Sequence, residues 1–145
     1  MYQKILVAYN GTQESRSALH ECIRLAPGPA AEIHLLAVIQ ISAFLLVGEF
    51  VAEAAIVDEK ARMEQELSSG YAMMTAAGLS VTKHLEIGEP VAVIAELVEK
   101  LGIELVIVGH SRQKPLAMRW WRGSVDAVLV ERVPCNILVA AYMPH

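Results

Sequence analysis

Cysteine is scarce: Cys22 and Cys135 are the only two in 145 residues, too few for a disulfide framework and suited to a reducing compartment or a core. Positive charge is in deficit. Twelve Lys and Arg stand against sixteen Asp and Glu, a formal charge of −4, so no basic field exists to hold nucleic acid. No run is long enough to cross a membrane. The most apolar stretch, Ile33 to Val47, contains His34, Gln40 and Ser42 and then meets Glu49 and Glu53, short of the roughly 20 residues a span needs. The apolar run Ile5 to Tyr9 stops at Asn10-Gly11 and is too short for a secretory signal. Disorder is excluded by composition, with 54% hydrophobic and 19% charged residues. The expectation is one soluble, cytoplasmic domain over residues 1–145, with no membrane and no nucleic-acid partner.

Two apolar periods alternate along the chain. Ile5 to Ala8 is a short continuous run, the mark of a strand covered on both faces. Thr12 can cap a helix carrying Ala18, Leu19, Cys22, Leu25 and Ala26 on one face, which Pro27-Gly28-Pro29 ends. Ile33 to Ile39 is a second strand. A long helical pattern from about Val51 to Ala77 aligns Ala52, Ile56, Met63, Leu67, Tyr71 and Met74, and its carboxylates Glu53, Asp58, Glu59, Glu64 and Glu66 read as a solvated face. Leu79 to Ile87 alternates as a strand near a sheet edge. Pro90 opens a helix with Ile94, Leu97, Val98 and Leu101 inward, closed by Gly102. Ile103 to Val108 is a buried strand that stops at Gly109. A polar and aromatic loop leads to Gly123-Ser124, which starts a short helix with Val125, Val128 and Leu129 inward. Ile137 to Ala141 is the last strand. This alternation predicts an α/β fold: a five-stranded parallel sheet with helices on both faces in three layers.

Ligands of such sheets bind beyond the carboxyl ends of strands, where the strand order reverses. Asn10-Gly11 and Gly109-His110-Ser111 stand at two strand ends, and Gly109 would let a ligand approach the backbone. Gly123-Ser124 offers bare N–H groups and a hydroxyl at a helix start, a seat for a phosphate. Arg112, Lys114, Arg119 and Arg122 crowd the loop between. Against a catalytic site, there is no Walker glycine loop, no Gly-x-Gly-x-x-Gly after the first strand and no Gly-x-Ser-x-Gly elbow. His20, His34, His84, His110 and His145 share no metal-ligand spacing, and the cysteines form no Cys-x-x-Cys. His110 and Ser111 are sequence neighbours, a poor arrangement for a base and nucleophile. The expectation is no catalytic residue and no metal ligand.

Three stretches, KILVAYNGTQESRSAL, GEPVAVIAELVEKLGIELVIVGHS and RGSVDAVLVERVPCNILV, together resemble the universal stress proteins over nearly the whole chain. The resemblance implies a Rossmann-like fold of strand order 3-2-1-4-5, a role in surviving stress, dimers built on the last strand, and in many members bound ATP. The ATP-binding pattern is glycine, two residues, glycine, nine residues, then glycine-serine. Gly109 and Gly123-Ser124 match it. Arg112 replaces the second glycine, and ten residues rather than nine separate it from Gly123. Asn10 replaces the family's acid after the first strand; an amide keeps an acceptor but loses the charge. Trp120 and Trp121 add bulk beside the phosphate seat.

Carried over singly, Ala8, Asn10 and Val38 would surround base and ribose, with Val108 and Gly109 as the floor. Gly123, Ser124 and Val125 would face the phosphates, with Arg112 as a replacement contact. The leading expectation is a homodimeric stress-response protein, not an enzyme, whose nucleotide site is degenerate and binds ATP weakly or not at all. A genuine sensor of ATP with magnesium is the rival. A structural module docking a partner through the last strand, Ile137 to Ala141, and the apolar connection Ile41 to Val51 is a third reading. Slow ATP hydrolysis is the least favoured.

Overall fold

A computed structural model describes residues 2–25, 28–40, 49–111, 129 and 131–142. The chain runs β1 (Lys4–Ala8), α1 (Gln13–Leu25), β2 (Glu32–Ile39), α2 (Glu49–Ala76), β3 (Ser80–Ile87), α3 (Pro90–Leu101), β4 (Leu105–Ser111) and β5 (Asn136–Tyr142). The strands form one five-stranded sheet of order β3-β2-β1-β4-β5, every neighbouring pair parallel. The parallel sheet is the one expected from the alternation, and its order is the Rossmann-like one that the family resemblance implies.

The strand period of two divides the core into two sides. Odd-numbered residues of the central strands, Ile5, Val7, Ile33, Leu35, Leu105 and Ile107, pack with Leu19, Cys22, Met63, Leu67 and Met74 from α1 and α2. Even-numbered residues, Leu6, Ala8, Leu36, Val38, Val106 and Val108, pack with Ile94, Leu97 and Val98 of α3 and with Leu129. Each such side chain fully removed from water contributes about 1.5–3 kcal/mol. β1 and β2 are therefore read correctly as continuous apolar runs, because both of their faces are covered.

The helix ends follow local chemistry. Thr12 Oγ1 accepts the Ser15 N–H at 3.3 Å and caps α1. Pro90 opens α3, and Gly102, in the left-handed conformation, closes it with its N–H donated to the Val98 carbonyl.

Three expectations are corrected. β4 begins two residues later than Ile103 and runs on through Gly109, His110 and Ser111, which are not a breaker: they stand in register with Ala140, Ala141 and Tyr142 of β5, so a waiting ladder overrides glycine's weak strand preference. Ile103 belongs to the turn, its N–H donated to the Val98 carbonyl. Leu25 and Tyr71 do not lie inward; both are exposed, and the Tyr71 ring instead receives Lys83 Nζ at 4.9 Å from its centre.

Candidate functional site

The strand order reverses between β1 and β4: from β1 the chain moves outward through β2 to β3, then returns across the sheet to β4 and β5. The carboxyl ends of β1 and β4 are therefore the rim at which a ligand of this fold would sit. Ala8, Asn10, Val38, Val108 and Gly109 all lie along it. Arg112, Gly123, Ser124, Val125, Trp120, Trp121, Val128 and residues 41–48 of the apolar connection lie outside the described residues.

Asn10 is buried and builds its own turn. Its Oδ1 accepts the Thr12 N–H at 3.1 Å and the Thr12 hydroxyl at 2.7 Å, which occupies both lone pairs of the amide oxygen. Its backbone N–H donates to Ser15 Oγ at 3.3 Å, and that hydroxyl donates in turn to the Thr12 carbonyl at 2.9 Å. The acceptor expected of this amide is thus spent within the loop, and Nδ2 is the polar group it can still present. A carboxylate here would hold the same turn with one oxygen and offer the other.

Gly109 does something different from the role first read for it. A Cβ there would overlap the backbone carbonyl of Glu14 outright and fall 2.9 Å from Ser15 Cα. The missing side chain admits the first turn of α1, so the close backbone approach at this glycine is made by the protein itself. Asn10 and Gly109 are brought together through Ser15, which touches both.

Charge collects behind the rim. Glu14 is buried in the first turn of α1, where an acid favours the helix dipole. From α2, the Glu66 carboxyl lies over Gly11: a Cβ on Gly11 would fall 2.6 Å from its Cδ. Gly11 also has φ +86°, so both space and backbone require glycine. The Tyr9 hydroxyl, and then Glu66, hold the exposed Arg16 guanidinium above its ordinary pKa. Sequence spacing could have shown Thr12 and Ser15 as a helix start. Glu66 had no such signal, since only the packing of α2 brings it to the loop.

Ala8, Val38 and Val108 share the α3 side of the sheet and are buried in its core. Burial pushes the Cys22 thiol up to about 12 and likewise raises Cys135, which disfavours the thiolate form at both. Among the described residues no three His, Cys, Asp or Glu side chains gather to hold a metal, and no helix is long and apolar enough to cross a membrane.

The sequence profile of the universal stress proteins matches residues 1–141. The chain belongs to the universal stress protein family. Protein SH1215 of Staphylococcus haemolyticus is 29% identical over 141 residues, covering 95% of this chain and 84% of that protein. Among solved structures, hypothetical protein MJ0577 superposes with a TM-score of 0.87 at 20% identity, covering 100% of this chain and 99% of that one. A universal stress protein family protein of Arabidopsis thaliana with AMP bound superposes with a TM-score of 0.71 at 16% identity, over 97% and 92% of the two chains. These likenesses establish the fold.

Substituting Gly109→Ala tests the joint between α1 and β4. A methyl there must push α1 outward, at an expected cost of about 3 kcal/mol, measured by urea unfolding. A loss below about 0.5 kcal/mol, the range of an ordinary surface change, would show that the close approach is not required.

Proposed function

We propose that this universal stress protein is a homodimeric stress-response protein, without enzymatic activity, whose adenine-nucleotide crevice is degenerate and takes ATP weakly or not at all. The carrying observation is the state of Asn10. A nucleoside approaching the end of β1 presents hydroxyl and amino donors, and needs an acceptor there. Both lone pairs of Asn10 Oδ1 are engaged by Thr12, and an amide has no second oxygen in reserve. The sequence supports the same reading at the other end of the crevice, where Arg112 replaces a glycine and the stretch to Gly123 is one residue longer than the family's ATP-binding pattern.

The rival is a working ATP sensor, favoured by the AMP bound in the Arabidopsis relative. In it, Ala8, Asn10 and Val38 surround base and ribose above Val108 and Gly109, while Gly123, Ser124 and Val125 face the phosphates and Arg112 neutralises their charge with magnesium. Thermal unfolding with millimolar Mg-ATP separates the two. A degenerate crevice leaves the midpoint within about 1 °C. A ligand at a hundred times its Kd adds about 2.7 kcal/mol, which moves the midpoint by several degrees and would overturn degeneracy. Asn10→Asp, combined with Arg112→Gly and deletion of one loop residue, is expected to bring that displacement back.

For the dimer, β5 supports the assignment. It ends the sheet in the strand order, and Val139 is 40% exposed on it, an apolar edge of the kind that pairs with a second copy. Light scattering across a dilution series is expected to give twice the 15.8 kDa chain mass at micromolar concentration. A monomer there would contradict the edge-strand assignment.

A further inference from the structure

Two histidines lie far from the rim, on the α3 side of the sheet. His34 on β2 and His84 on β3 are 50 residues apart in sequence, yet His34 Nδ1 and His84 Nε2 approach to 2.8 Å. The register explains the meeting: His34 pairs with Thr82 and His84 with Leu36, so the rings lie on a same-face diagonal. On the other side of the ring, His34 Nε2 stands 3.3 Å from Glu32 Oε2. His34 is buried and His84 half-buried.

This geometry fixes the protons. With Nε2–H donating to Glu32, the neutral His34 ring offers Nδ1 as an acceptor, and His84 Nε2–H donates to it. One added proton is accommodated: placed on His34 Nδ1, it donates to His84 Nε2 once His84 carries its own hydrogen on Nδ1. A second proton is not. Both facing nitrogens would then carry hydrogen, the bond would be lost and two cations would stand at contact distance.

We propose that His34 and His84 form an acid-breakable clasp holding the edge strand β3 to β2, so that mild acid loosens this side of the sheet. The surrounding charges set its bias. Glu32, in register with Lys4 of β1, is the carboxylate that faces the His34 ring. Around His84, burial first and then His34 oppose charging; Glu86 on β3 favours it and Lys100 on α3 opposes it, and the net displacement is downward. In the unfolded chain His84 takes its proton near the ordinary value of about 6.5. The clasp therefore contributes fully above that pH, and its contribution is lost as pH falls toward the lower folded value.

The test compares the full chain with His84→Gln, whose amide can still bridge to His34 but cannot charge. Between pH 7.5 and 5.5 the melting midpoint of the unaltered protein is expected to fall by about 3 °C more than that of the variant. Equal falls overturn the clasp. Imidazole nitrogen NMR of the unaltered protein gives an answer independent of the variant's folding. Coupled titration, with one ring charging well below the other, supports it, whereas two rings charging independently at ordinary values overturn it.

Discussion

The space left by one missing side chain positions the end of the sheet that carries the proposed crevice. At Gly109, β4 offers bare backbone, and the first turn of α1 moves in until the Glu14 carbonyl occupies the place of a Cβ. Packing at this density leaves no slack for a methyl group. The approach sets where Ser15 sits, and Ser15 holds the Asn10 N–H. The loop after β1, the start of α1 and the end of β4 are thereby one joined unit.

That joint has a chemical consequence. Asn10, Thr12 and Ser15 satisfy one another's polar groups, which orders this loop from within. On the proposed reading it is also a poorer host, since a nucleoside would compete with Thr12 for the Asn10 oxygen. The loop invests its hydrogen-bonding capacity in its own order, and Glu66, reaching from α2 across Gly11, adds negative charge behind it rather than a phosphate seat. Membership of a family with an AMP-bound relative is compatible with both a working and a degenerate crevice. The particular side chains at β1 and β4 favour the second.

Much of the fold was legible because local pattern and tertiary outcome agree. Continuous apolar runs became the doubly covered strands β1, β2 and β4, the Pro90 and Gly102 punctuation bounded α3, and Thr12 capped α1. What was hidden depends on partners distant in sequence. Gly109 to Ser111 read as a breaker because nothing nearby reveals that β5 will extend the ladder to Tyr142. Gly109 read as room for a ligand because the competing occupant, α1, arrives from elsewhere in the chain. Asn10 stands directly beyond the end of β1, but its residue type alone did not show that Thr12 takes both lone pairs. The meeting of His34 and His84 required the β2–β3 register, which sequence spacing does not carry.

The self-satisfied rim is tested most directly by native-state amide hydrogen exchange of the free protein, read at Asn10 and Thr12. If the loop is ordered by its own hydrogen bonds, both amides are protected at the level of the core strands, and Mg-ATP leaves that protection unchanged. Exchange at the rate of an open loop in the free protein, slowed on adding Mg-ATP, would contradict the account.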